Sequence, residues 1–167
     1  MLFQQDLIAA FEQFNEAIYN YVFFRVNRSK ETAEDLTQEI FLKAWRNRDK
    51  FDEHKSNLKN WLFVIARNTV IDYYRQNKVT LPLNENNELN AASDLGNVED
   101  KIFIEEVQVR LQELTIEERE ILLLRYFEDF DLKEIAEIIN KNYSATKVLI
   151  HRSLKKLKAL LAHETND

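Results

Sequence analysis

One glycine and one proline in 167 residues constrain this chain more than any other feature. Tight hairpins and strand turns draw on glycine and asparagine-glycine pairs, so a chain nearly without glycine, and rich in Leu, Ile, Glu and Lys, points to an all-α protein. A hydrophobic content of 45% suffices for a core in one domain or in two small ones. There is no cysteine, which removes disulfides and thiolate metal sites and suits a reducing compartment. No apolar run approaches the roughly 18 residues of a membrane span, and no basic-then-apolar leader opens the chain. The expectation is a soluble, cytoplasmic protein without membrane insertion.

Apolar residues step by three and four along most of the chain. A first helix is expected from Phe3 to about Val26, burying Leu7, Phe11, Phe14, Ile18 and Tyr21/Val22. After a break at Asn27 to Lys30, a second runs from about Thr32 to Arg48. It buries Leu36, Ile40, Phe41 and Ala44, with Asp35, Gln38, Glu39, Leu42 and Arg46 on or near its other side. The stretch Phe51 to Asn57 has no period and reads as a loop, whose Ser56 or Asn57 caps a third helix from about Leu58 to Asn77. There Leu58, Trp61, Leu62, Ile65, Thr69 and Ile71 or Tyr73 are expected to face inward. Arg67, Asn68, Asp72, Tyr74, Arg75 and Lys78 offer amides, charges and an aromatic to solvent, a mixture on which single-stranded bases stack and hydrogen-bond. Trp45, Trp61 and Phe63 fit either that role or a plain core.

From Leu81 to Val98 the period vanishes. The run holds Pro82, Gly96 and three acids with no Lys or Arg, and reads as a flexible acidic linker. Two small helical domains, residues 1–80 and 99–167, are therefore expected on either side of a linker at 81–98. In the second domain Phe103, Val107, Leu111 and Leu114 mark a fourth helix. Thr115 with Glu118 forms a capping box for a fifth, Ile116 to about Phe127.

The segment Asp131 to Leu161 carries the chemistry. Asp131 and Glu134 are spaced as a second capping box, and Leu132, Ile135, Ala136 and Ile139 form one stripe. A polar turn, Asn140 to Tyr143, leads to a helix that Ser144 is expected to cap and that turns Ile150, Leu154, Leu157 and Leu161 to the core. Its opposite face carries Ala145, Val148, Leu149, Arg152, Lys155 and Lys156, flanked by Lys147, His151 and Lys158. From Ile138 to Ala162 there is no carboxylate, on a chain whose formal net charge is −6. Segregated positive charge on the second of two short helices suggests a helix-turn-helix on DNA. A solvated face that complements a helix dipole also fits. Val148 and Leu149 suit either thymine methyl groups or another helix.

An enzyme finds no support. One glycine cannot make a phosphate-cradling loop, there is no metal-binding HExxH or cysteine set, and His54, His151 and His163 have no recurrent spacing. No catalytic residue, cofactor or metal is expected.

The runs AEDLTQEIFLKAWRNRDKFD and NWLFVIARNTVIDYYR, followed by LTIEEREILLLRYFEDFDLKEIAEI and TKVLIHRSLKKLK, closely resemble the extracytoplasmic-function (ECF) sigma factors, initiation subunits of bacterial RNA polymerase. The resemblance spans about Tyr19 to Leu161. It implies that Asp35, Gln38 and Glu39 contact core RNA polymerase, on a face whose carboxylates suit a basic partner. It further implies that Asn68, Asp72, Tyr73 and Arg75, with the Phe51 to Asn57 loop, capture the melted non-template strand of the minus-ten element. Lys147, Val148, His151 and Arg152 would read the duplex minus-thirty-five element in the major groove, with Lys155 and Lys156 nearer phosphate. Two positions depart from the family pattern. Asn140 stands for the usual turn glycine and can take the left-handed conformation, while Val148 and Leu149 replace a serine-arginine pair and shift readout towards apolar contacts. Many members of the family are held inactive by an anti-sigma factor, and no motif here identifies one. A free-standing dimeric regulator and a helical adaptor without promoter reading are the competing classes.

Overall fold

A computed structural model describes residues 4–26, 28–77 and 106–162. The acidic segment 81–98, both domain boundaries, Phe103 and His163 lie outside the described residues. All regular structure in the described residues is helical. We label the helices α1 (Gln4–Arg25), α2 (Lys30–Arg46), α3 (Leu58–Asn77), α4 (106–112), α5 (Ile116–Leu122), α6 (Leu132–Ile139) and α7 (Tyr143–Ala162). A short 3₁₀ turn, Arg48–Lys50, follows α2. The end of α5 widens into a π-helical turn, Leu123–Phe127.

Local capping signals set most of these limits. Ser29 caps α2 by accepting from the Thr32 amide, so the helix starts two residues before the expected Thr32. Asn57 Oδ1 accepts from the Asn60 amide at 2.8 Å and opens α3. Both expected capping boxes are formed: Thr115 and Glu118 exchange bonds at the start of α5, and Asp131 and Glu134 do so at α6. The expected cap of α7 is corrected. Asn142, not Ser144, caps it, its Oδ1 accepting from the Ala145 amide at 2.8 Å.

Helices α1, α2 and α3 pack on one another, and in the second half α7 packs on both α5 and α6. The halves also touch. α3 lies against α6 and α1 against α5, so buried apolar side chains from both halves join one core cluster. Phe63 of α3 meets Phe130 edge-on at 4.9 Å. Burying an aromatic pair of this kind is worth about 3–5 kcal/mol by truncation.

The core faces differ from expectation in two places. α3 turns the expected Leu58, Trp61, Leu62, Ile65, Thr69 and Tyr73 to the core, while Ile71, the alternative to Tyr73, is exposed; it also buries Phe63, Ala66 and Val70, because α6 lies against it as a second cover. Phe11 is 47% exposed rather than core. It meets Phe41 edge-on at 4.9 Å at the rim of a shallow hollow lined also by Leu7, Ile8 and Trp45.

Candidate nucleic-acid interface

The basic face of α7 is set by the turn before it. Asn140 adopts φ 54°, ψ 49°, the left-handed conformation that asparagine tolerates, and the Lys141 amide then bonds the Ala136 carbonyl at 2.9 Å. This closes α6 and redirects the chain. Fully buried Thr146 and Ser153, with Ile150 and Leu157, seat α7 on its neighbours. The two hydroxyls bond back to the carbonyls of Asn142 and Leu149, so neither is buried without a partner.

Seated so, α7 turns Lys147, Val148, His151, Arg152, Lys155 and Lys156 to solvent, and Val148 is 57% exposed. Leu149 departs from expectation. It is half-buried and packs against the core, so one apolar residue, not two, stands among the cations. The cations also differ among themselves. Lys156 Nζ is 2.8 Å from Glu118 Oε2, and Lys141 Nζ is 2.8 Å from Glu117 Oε1. Burial pushes the Glu118 carboxyl up, but hydrogen bonds from Lys156 and Thr115 hold it below the usual glutamate range. Among the described residues Lys147, Arg152 and Lys155 form no ion pair, leaving their charge available to an anionic ligand.

On α3, Asn68, Asp72 and Arg75 fall on one face at spacings of four and three. Arg75 Nη2 bonds Asp72 Oδ1 at 2.8 Å, so these two hold each other. Tyr73 lies around the helix from them. It is half-buried, its ring edge-on to Tyr74 at 5.4 Å, and Tyr74 in turn donates to the Arg25 carbonyl. Arg67, expected to face solvent, is instead partly buried, its Nε 3.2 Å from a Glu120 carboxylate oxygen of the other half without a hydrogen bond between them.

A third surface lies on α2, where Asp35, Gln38 and Glu39 are exposed. Glu39 pairs with Lys43 one turn on at 2.8 Å. Leu42, seven residues after Asp35, completes the same face at 54% exposure. Its spacing carried that signal in the sequence. Among the described residues no group of His, Asp or Glu is arranged to hold a metal ion, and no helix is long and apolar enough to cross a membrane.

Two family models match the chain, one in each half. Residues 10–80 match the family model for sigma-70 region 2, and residues 104–157 match that for sigma-70 region 4. The chain is 30% identical over 161 residues to the ECF RNA polymerase sigma factor SigM of Bacillus subtilis, covering 94% of this chain and 96% of that protein. It is also 30% identical over 155 residues to the ECF RNA polymerase sigma factor BldN of Streptomyces coelicolor, covering 90% of this chain but only 58% of that relative's length. Among solved structures, the fold is shared with the sigma factor RpoE of Bartonella quintana, crystallised with the anti-sigma factor NepR. The TM-score there is 0.76 at 23% identity, over 95% of this chain and 98% of that one. CnrH, solved with the cytosolic domain of CnrY, gives 0.72 at 21% identity, over 99% and 92%.

Proposed function

Since the chain belongs to the ECF sigma factors, which serve transcription initiation, we propose that it binds core RNA polymerase, recognises a two-part promoter and promotes DNA opening. It does so as a recognition subunit, not as a catalyst, in the cytoplasm where polymerase works. The observation that carries this reading is the outward face of α7: three cations without carboxylate partners around exposed Val148, on a helix held by a left-handed turn. Long cations beside an apolar group suit phosphate contact together with a thymine methyl in the major groove.

In this reading Arg152, Lys147, His151 and Val148 meet base edges of the minus-thirty-five element, and Lys155 meets phosphate. Lys156 reaches phosphate only by sharing or leaving Glu118. On α3, Asn68 offers an amide to an unstacked minus-ten base. Asp72 and Arg75 present a paired edge there, with Tyr73 nearby to stack. On α2, Asp35, Gln38, Glu39 and Leu42 meet polymerase, the two carboxylates steering a basic partner and Leu42 losing its exposed apolar area on docking. With Leu149 turned to the core, the case for an adaptor that has lost promoter reading weakens. An anti-sigma partner, as NepR is for the sigma factor RpoE, is part of the proposal without a surface assigned to it.

The test is reconstitution. The purified chain is mixed with bacterial core RNA polymerase, separated by size, and run on a promoter library. Co-elution with new promoter-specific transcripts is the expected result. Co-elution without transcripts would favour the adaptor, and salt-sensitive duplex binding without polymerase would favour a free-standing regulator.

A further inference from the structure

Which bases α7 can select follows from what its outward face offers and what it lacks. In a major groove arginine or lysine pairs with guanine, asparagine or glutamine forks onto adenine, a carboxylate accepts from cytosine, and an apolar group meets the thymine methyl. From Tyr143 to Ala162 the helix holds no Asp, Glu, Asn or Gln. The nearest amide, Asn142, is folded back as the helix cap, its Oδ1 accepting from the Ala145 amide at 2.8 Å, and is not free to fork onto adenine. Ser144 and His151 are exposed, but each can give or take a hydrogen bond and so discriminates little. Guanine and thymine remain as the bases this face selects by direct contact.

Three exposed residues form the ridge of the face. Ala145, Val148 and Arg152 step by three and four, which keeps them within about 60° of arc. Val148 is 57% exposed. Along the helix axis it lies about 4.5 Å beyond Ala145, and Arg152 lies about 6 Å beyond Val148. Successive bases on one strand are about 3.4 Å apart. The two apolar groups therefore match neighbouring base pairs, and the guanidinium falls one or two pairs further on. Exposed Lys147 and Lys155 flank the ridge, where phosphate contacts fix the register without adding sequence information.

We propose that the ridge of Ala145, Val148 and Arg152 selects two adjacent A·T pairs through their thymine methyl groups, and a G·C pair one or two steps away through guanine. The pattern rests on the reading of α7 as the duplex-reading helix of a sigma factor, and it names the bases that this helix takes.

The full chain, alone and assembled with bacterial core RNA polymerase, selects duplexes from a randomised library. The recovered duplex is then remade with deoxyuridine for each thymidine in turn, which removes only the C5 methyl group. Adjacent A·T pairs beside a G·C pair should be enriched. Deoxyuridine at either of the two selected thymines should weaken binding about fourfold, as for one buried methyl group, and elsewhere in the duplex should leave it unchanged. Val148→Ala makes the decisive comparison, because an exposed helical site accepts alanine without loss of folding. The variant should bind thymidine and deoxyuridine duplexes equally at one position of the pair and keep the fourfold preference at the other, beside Ala145. Replacing the guanine with 7-deazaguanine should weaken binding of the unsubstituted chain about tenfold and leave that of Arg152→Ala unchanged.

An enriched element without adjacent A·T pairs would overturn the proposal. So would binding indifferent to the methyl groups, or a Val148→Ala variant that binds more weakly yet keeps both methyl preferences. If the chain does not bind polymerase but alone selects this pattern, the sigma reading falls and the base assignment stands. Polymerase binding with no enriched sequence would overturn the base assignment and favour the adaptor, and no enrichment without polymerase binding would overturn both.

Discussion

The outward face of α7 and the seam at Glu120 both rely on arginine, and they set it to opposite tasks. Arg152 is exposed and forms no ion pair among the described residues, whereas the Arg25 side chain is 2% exposed and 2.9 Å from a carboxylate. At about 4 Å an ion pair is worth roughly 1 kcal/mol in water but about 4 kcal/mol at the effective dielectric near protein. A charge kept in water is therefore cheap to hold and ready for a ligand, while a buried one is committed to its partner. The broadest attempt to break this contrast compares two truncations by urea denaturation. Arg25→Ala removes one side of a buried pair and should cost about 3–5 kcal/mol. Arg152→Ala should stay within about 0.5 kcal/mol of the unsubstituted chain. Similar losses at both sites would erase the distinction.

Glu128 sharpens the contrast through pH. Burial pushes its carboxyl up to about 7, and only Lys59 opposes this. That lysine donates to the Glu128 carbonyl at 2.6 Å and lies 4.3 Å from the Phe130 ring centroid. With the folded pKa raised, the folded chain holds a proton that the unfolded chain has released. The stabilisation is full below the ordinary glutamate value near 4.5 and is lost as pH rises through about 7. Glu128→Gln removes this titration. Between pH 5 and pH 8 the unsubstituted chain should lose about 2–3 kcal/mol more than the variant, measured as unfolding free energy at each pH. Parallel curves would mean that the carboxyl is solvated.

What could be read from the sequence follows the range of each interaction. Thr115 with Glu118 and Asp131 with Glu134 were legible because both partners sit within one turn. The same holds for the αL turn at Asn140, where an amide side chain replaces glycine. The stripe of α3 was legible, but not its full width, because the helix is covered on two sides and the second cover, α6, arrives from more than 50 residues away. Arg25, Arg67 and Glu120 were illegible for the same reason. Each reads alone as an ordinary surface charge, and only the packing of α1 and α3 against the second half makes them a cluster. Leu149 lies at the edge of the outward arc on α7. A helical projection puts it beside Val148, and the neighbouring core decides which way it leans.

Of the α7 cations, Arg152 should matter most for DNA. Arg152→Ala is expected to weaken promoter binding by about 1–3 kcal/mol and to relax sequence preference at the base it contacts. Binding isotherms on the recognised promoter and on single-base variants measure both. Uniform weakening across sequences would reassign Arg152 to phosphate and leave base reading to Val148 and His151.

The smallest effects separate two adjacent lysines. Lys155 has no ion-pair partner among the described residues, while Lys156 is held by Glu118 at 2.8 Å. A lysine that meets phosphate releases about one counterion, so Lys155→Ala should reduce the salt slope of duplex binding by about 1 and leave folding unchanged. Lys156→Ala should do the reverse. It loses a partly exposed ion pair worth about 0.2–1 kcal/mol of stability and changes the salt slope less, because in the free protein its charge is already partly neutralised. Salt titrations of the two variants beside their melting curves make the comparison. Equal salt slopes would mean that Lys156 leaves Glu118 for phosphate on binding, making the pair a contact exchanged for DNA rather than a brace of the domain.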